Sequence, residues 1–327
     1  MGRTMGQIET VKGAIEATAL GRTLTHEHIF VDNPELSANY ASVRWDRDHW
    51  IARAKATFLD LKSAGIDSLI DLTVMGLGRD IPLIQKVAED LDFHIVVATG
   101  FYTYKDLPAY FKTHGPGLRI DVPDPLHDMF VTDLVDGIGE TGVKAALIKI
   151  ATDSHGFTPD VERVFRAAAS AYKETGAPIT THSNAAMKGG LEQQEFLRNE
   201  GVNLSRVVIG HSGDSDDLDY LRCMLDAGSY LGFDRFGMDN YLSAEKRVNT
   251  VVALCNEGYA NQLTLSHDAA VYSINTEPDV RAKMLPNWRF DYVPRSVLPE
   301  LKQRGISDEQ INLMMVENPR RVLIRAL

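Results

Sequence analysis

A single (β/α)8 barrel is the fold class this sequence predicts. Three observations carry the expectation: eight short apolar or β-branched runs, eight alternating segments with helical apolar spacing, and no Gly/Ser linker or charge block to part the 327 residues into domains. Near-continuous apolar strands belong to a parallel sheet buried on both faces, and a barrel is the natural closure of eight βα units. An open doubly wound sheet shares the alternation and is the alternative, because strand count alone does not prove closure.

In chain order, residues 1–22, with QIETV and AIEA, read as an N-terminal arm or short hairpin. TLTHEHI (23–29) is the first barrel strand and WIARAKATFLDLKSAG (50–65) its helix. DSLIDLTV (67–74) leads to IPLIQKVAEDL (81–91), HIVVATG (94–100) to MFVTDLVDGIGETG (129–142), and AALIKIA (145–151) to VERVFRAAASAYKETG (161–176). APITTHS (177–183) precedes LEQQEFLRNEG (191–201), RVVIGHS (206–212) precedes DLDYLRCMLDAG (217–228), and SYLGFDRF (229–236) precedes AEKRVNTVVALCNEG (244–258). LTLSHD (263–268) is the eighth strand and SVLPELKQRG (296–305) the last helix. Gly65, Gly142, Gly176, Gly201 and Gly228 fall where a helix ends before the next strand, a place that calls for left-handed backbone. Residues 269–294 exceed an ordinary βα link and carry Trp288, Phe290 and Tyr292. They are expected to form a lid-like loop in one domain spanning 1–327.

A composition of 44% hydrophobic and 24% charged residues is that of an ordinary globular protein. The formal charge of −11 disfavours nonspecific attraction to nucleic acid or an anionic membrane, so a small-molecule partner is expected. No apolar run reaches the roughly 18 residues of a membrane helix, and MGRTMGQIETVKG lacks a signal-peptide core, so the expected location is the cytoplasm. Cys223 and Cys255 fall in predicted helices and read as small buried hydrophobes, with neither a disulfide framework nor a thiolate metal site in view.

The chemistry-bearing residues gather at strand ends. His26 and His28 end the first strand, Lys149 lies near the end of the fourth, His182 ends the fifth, His211 follows the sixth and Asp268 ends the eighth. The carboxyl-terminal rim is where a barrel builds its active site. Two residues apart on a strand, His26 and His28 share a face and can grip one cation. Imidazoles and a carboxylate suit zinc, cobalt, iron or manganese, and the lack of thiolates points to an open, catalytic site. Two other motifs fail on context. Gly137, Gly139 and Gly142 spell GxGxxG but end a helix instead of opening one after a strand. GHSGD around Ser212 lacks the last glycine of a nucleophile elbow.

THEHIF, LIKIA, THSNA, IGHSGD and LSHDA resemble the motifs of the phosphotriesterase family within the amidohydrolase superfamily. The resemblance runs nearly end to end. It includes VENPRRVL and GFDRFGMD, the latter more similar to the phosphotriesterase-like lactonases than to true phosphotriesterases. It implies two divalent metals, one held by His26, His28 and Asp268, the other by His182 and His211, with Lys149 bridging both as a CO2-derived carbamate. The modification also has a physical case: an ammonium has no lone pair and repels cations, whereas a neutral amine can take up CO2 and become a two-oxygen anion.

By the same resemblance, the Tyr102 phenol reaches the metals and helps orient substrate, beside Tyr104. Arg235 stands at the pocket edge, with an ion pair to Asp234 or Asp239 as its alternative. His267 faces away from Asp268's side of the strand and reads as structural. The residues after Asp268 border the centre, so Val271 and Ile274 are expected to line an acyl channel. The expected reaction is opening of N-acyl homoserine lactones or related aliphatic lactones by hydroxide bridging the metals, with Asp268 taking and returning the proton. Weak organophosphate triester hydrolysis is expected beside it. A primary phosphotriesterase is the first alternative. A noncatalytic small-molecule-binding barrel is the second, disfavoured because a pure binder has no evident need for a bridging lysine. Homodimers are common in the resembling family.

Overall fold

The computed structural model describes residues 6–276 and 278–325; positions 1–5 of the expected arm and Glu277 of the expected loop lie outside them. Strands β1 (Gln7–Thr10) and β2 (Gly13–Glu16) pair as the antiparallel N-terminal hairpin. The barrel strands are β3 (Thr23–Val31), β4 (Ser68–Asp71), β5 (His94–Gly100), β6 (Leu147–Ala151), β7 (Ile179–His182), β8 (Val207–Ile209), β9 (Tyr230–Phe233), β10 (Leu263–Leu265) and β11 (Ala270–Ser273). All nine are parallel, in the order β10-β9-β8-β7-β6-β5-β4-β3-β11.

That order describes a barrel whose eighth stave is split. After β10 pairs with β9, the chain breaks over 266–269 and resumes as β11 against β3. Asp268 N donates to His26 O at 3.0 Å and His28 N to Ala269 O at 2.8 Å, so backbone bonds cross the seam. The eighth strand is therefore not the single run 263–268, and residues 269–294 are not a plain loop. Their start completes the sheet as β11, and Pro278–Met284 is helical. Closure leaves no sheet edge to blunt.

Alternate residues of the staves face two cores. Leu69, Ile95, Val97 and Ile148 pack outward under the helices, whereas Ile70, Val96, Ala98 and Leu147 pack inward with Ile8 of the hairpin, Leu20 and Leu323. A register shift between Leu24 and Glu27 changes this parity within β3. Leu24 belongs to the outer core, yet His26 and His28, even-numbered like it, point inward.

Outer helices at 47–63, 81–88, 125–135, 159–175, 218–226 and 244–256 start on side-chain caps from Asp46, Asp80, Asp124, Thr158, Asp217 and Ser243. Each such cap is worth roughly 1 kcal/mol. The third expected helix starts at Pro125 and stops at Val135, so GIGETG is a loop with positive φ at all three glycines. Gly65, Gly176, Gly201 and Gly228 have positive φ at or just past helix ends, as expected, whereas Gly142 has positive φ within the loop and ends no helix. Cys255 is buried, but Cys223 is exposed, because the helix 218–226 turns Tyr220, Leu221, Met224 and Leu225 to the core instead. Among the described residues, no helix is long and apolar enough to cross a membrane.

Candidate metal centre

His26, His28, Lys149, His182, His211 and Asp268 come together at the carboxyl-terminal rim. His26 Nε2 lies 3.2 Å from Lys149 Nζ and 3.5 Å from Asp268 Oδ1, and His28 Nε2 lies 3.2 Å from the same oxygen. His211 Nε2 is 2.9 Å from His182 Nδ1 and 3.8 Å from Asp268 Oδ2. Ligand atoms of His26, His211 and Asp268 all fall within 4.8 Å of one another.

The backbone is bent to achieve this. Among described non-glycine residues only Lys188, His211 and Asp268 have positive φ, at 54°, 60° and 54°. Such backbone costs on the order of 1–3 kcal/mol and persists where surrounding contacts over-determine it. Gly210 precedes His211 because a Cβ there would meet Thr181 O at 2.0 Å. Gly100 is demanded likewise by Lys149 O on the neighbouring strand.

The nitrogen of each imidazole that faces away from the cluster has a hydrogen-bond acceptor, and that acceptor assigns the tautomer. His26 Nδ1 donates to Asp234 Oδ2 at 2.7 Å and His211 Nδ1 to Asp234 Oδ1 at 2.9 Å, so one carboxylate sets two rings. His182 Nε2 donates to Asp153 Oδ2 at 3.0 Å. His28 Nδ1 donates to Thr73 Oγ1 at 2.9 Å, whose hydroxyl donates on to Asp71 Oδ1 at 2.6 Å. Every inward nitrogen is then a lone pair. The contacts His182–His211 at 2.9 Å and His28–Asp268 at 3.2 Å set acceptor against acceptor, an arrangement a cation resolves. These donors fit divalent transition metals.

Electrostatics favour the ligating forms. Burial pushes the His182 imidazole down to about 4 and lowers His26 and His211 as well, keeping the rings neutral. Burial also lowers Lys149 to about 8, against the pull of Asp268 and Asp234. Burial works against the Asp268 carboxylate, yet His211, His26, the His28 bond and Arg235 hold it well below the usual carboxylate range.

Tyr102 OH is 3.3 Å from His182 Nδ1 and bonds the Tyr104 hydroxyl; Tyr104's ring also packs on His182, 5.1 Å between centroids. Burial raises the Tyr104 phenol to about 12, so both phenols stay protonated near neutral pH. Arg235 is ion-paired, but with neither Asp234 nor Asp239. Its Nε donates to Asp268 Oδ2 at 3.0 Å and its Nη1 to Asp214 Oδ2 at 2.9 Å, and Tyr241 stacks 4.6 Å from the guanidinium. The buried Arg247 holds Asp214 from behind at 2.6 Å.

Val271 does not join this group. Ala270 is in register with His28, so its neighbour Val271 faces the opposite side of the strand. There it lines a cavity of about 390 Å³ with Leu61, Arg281, Trp288 and Phe290. Ile274 is half-buried beyond the end of β11, its N–H bonded to Val31 O at 3.0 Å. His267 is fully buried and bonded on both ring nitrogens, away from the cluster.

Asp234, Asp153, Thr73 and Asp71 are the functional side chains that reading by strand ends passed over. Asp234 had a signal: it is an acid at the end of an apolar strand, like Asp268. Asp153 and Thr73 lie beyond their strands, where side-chain direction is not set by alternation.

Residues 6–323 match the profile of the Phosphotriesterase family. The chain belongs to the phosphotriesterase family. That family is part of the amidohydrolase superfamily, and its members are metal-dependent hydrolases, so this protein is a metal-dependent hydrolase. A phosphotriesterase homology protein of Mycobacterium tuberculosis is 48% identical over 321 residues, 98% of each chain. An aryldialkylphosphatase of Saccharolobus solfataricus is 38% identical over 312 residues, 95% of this chain and 97% of that one. The solved structure of the phosphotriesterase from Mycobacterium tuberculosis superposes with a TM-score of 0.95 at 48% identity, covering 98% of both chains. That likeness agrees with the closed (β/α)8 barrel.

Proposed function

We propose that this phosphotriesterase-family hydrolase opens lactone rings, N-acyl homoserine lactones or related aliphatic lactones. One metal would be held by His26, His28 and Asp268, the other by His182 and His211, with Lys149 carboxylated between them. Zinc is our assignment; cobalt, iron and manganese suit the same donors. The observation that carries the reading is the convergence of inward lone pairs, a carboxylate and a buried lysine on one rim. Metals held there would supply an acidified water as nucleophile and Lewis-acid polarisation of the substrate oxygen.

The chain's own residues do the rest. Asp268 accepts a proton at a carboxylate oxygen and delivers it to the departing ring oxygen, which needs the carboxylate ionised beforehand, as Arg235 helps keep it. Tyr102 presents a protonated phenol beside His182, suited to orienting the lactone carbonyl. Tyr104 buttresses it. Arg235 borders the pocket under Tyr241, and the lactone reading rests on the resemblance of its motif, GFDRFG, to that of the phosphotriesterase-like lactonases. As in the resembling family, the working form is proposed to be a homodimer.

Primary phosphotriesterase activity is the second reading, favoured by the aryldialkylphosphatase relative. Comparing kcat/KM for acyl homoserine lactones of increasing chain length with that for an aryl phosphotriester tests the choice. The lactones should be preferred, and a triester preference would reverse the assignment. The same panel tests the acyl contacts. Ile274→Trp should penalise long chains more than short ones, since each buried methylene is worth about 0.8 kcal/mol. Val271→Trp should do so only through displacement of β11. Profiles that superimpose on the parent would show that the acyl group runs elsewhere.

A further inference from the structure

We propose that Glu27 is a positioning residue for Asp268: its carboxylate clamps the break between β10 and β11 and fixes the direction in which Asp268 enters the metal centre. This rests on the metal-hydrolase reading of the rim. Glu27 lies between His26 and His28 but faces away from them and is fully buried. Its Oε1 accepts from Ser266 Oγ at 2.7 Å, His267 N at 3.0 Å and His267 Nδ1 at 2.6 Å, and its Oε2 accepts from Ala269 N at 2.9 Å. The four bonds bracket Asp268 on both sides, and Asp268 is the residue whose φ is held at +54°. A second tie runs outward through His267. Its Nε2 accepts from Val293 N at 2.8 Å and its carbonyl from Trp288 Nε1 at 2.9 Å, which fastens the returning end of the segment after β11 to the same break.

A buried carboxylate serves here because the segment offers only donors. A glutamine in its place has one acceptor oxygen and one NH2. With the oxygen at the Ser266–His267 end, the NH2 faces the Ala269 N–H, and the flipped amide faces three donors instead. Either way a buried donor goes unpaired and the peptides flanking Asp268 must shift.

The test compares Glu27→Gln and the milder Glu27→Asp with the parent, each reconstituted with Mn2+ and titrated with a competing chelator. Electron paramagnetic resonance follows exchange coupling between the ions. The clamp predicts selective weakening of the ion held by His26, His28 and Asp268, by about 10–100-fold for Glu27→Gln. The other ion should stay near parental affinity, and the coupled signal should give way to that of an isolated ion. Glu27→Asp should show the same order of loss to a smaller degree, and kcat should fall more than KM rises. Equal affinities and an unchanged coupled signal in both variants would overturn the proposal. So would parallel loss of both ions in step with a lower unfolding midpoint, the mark of a merely structural carboxylate. If the parent holds no coupled pair, the metal-centre reading fails first and separately.

Discussion

Lys149→Ala is expected to lose the paired metal centre and at least about 10²-fold in kcat/KM, the scale on which enzymes lose rate when one electrostatic contributor is removed. Lys149 is fully buried in the middle of an apolar strand, its Nζ donating to Thr181 O at 3.1 Å and lying 3.2 Å from His26 Nε2. A permanent ammonium there would oppose two cations. Burial instead brings its pKa to about 8, so roughly a tenth of the amine is neutral at pH 7. In the proposed carboxylation the neutral nitrogen would bond to the carbon of CO2 and lose one proton, giving an anion with two oxygens. Lys149→Arg should fail as fully as alanine, since guanidinium stays charged and cannot make that bond. A short carboxylic acid added to Lys149→Ala should restore part of both metal binding and activity by placing two oxygens in the vacated space. Parental activity in Lys149→Arg would remove the carbamate from the account.

Asp268→Asn is expected to lower kcat by around 10²-fold or more while changing KM far less, measured at equal metal occupancy. Asparagine keeps the size but has a single acceptor oxygen and cannot accept and return a proton. It is also misfitted locally. Asp268 Oδ2 accepts from Arg235 Nε at 3.0 Å, so the amide must turn its oxygen there and present its NH2 to the metals. Metal affinity should fall too, which is why occupancy is matched before rates are compared. An unchanged kcat at saturating substrate would take Asp268 out of the proton-transfer role.

The barrel and the six clustered side chains were legible because both rest on strong local signals. Position near or just past strand ends puts His26, His28, Lys149, His182, His211 and Asp268 on one rim, whereas the register shift in β3 and the left-handed backbone at His211 and Asp268, which set how those side chains point, are not written in the alternation. The residues that orient them depend on which atoms meet across strands. Asp234 serves both His211, on the preceding strand, and His26, on a strand far away in sequence, and nothing in GFDRFG alone says so. The split eighth stave was hidden for a related reason. LTLSHD continues the alternating pattern through the break, and only Glu27, on another strand, shows why the chain departs from it. Extending the loop reading to Val271 misjudged its direction, because β11 regains sheet geometry and turns that side chain to the helix layer.

Metal content measured together with activity tests the central claim most directly. Purified protein stripped of metal and reconstituted by stepwise addition of a single divalent ion, with bicarbonate present, should reach full activity only as elemental analysis approaches two ions per chain. Full activity with at most one ion per chain would contradict the binuclear centre.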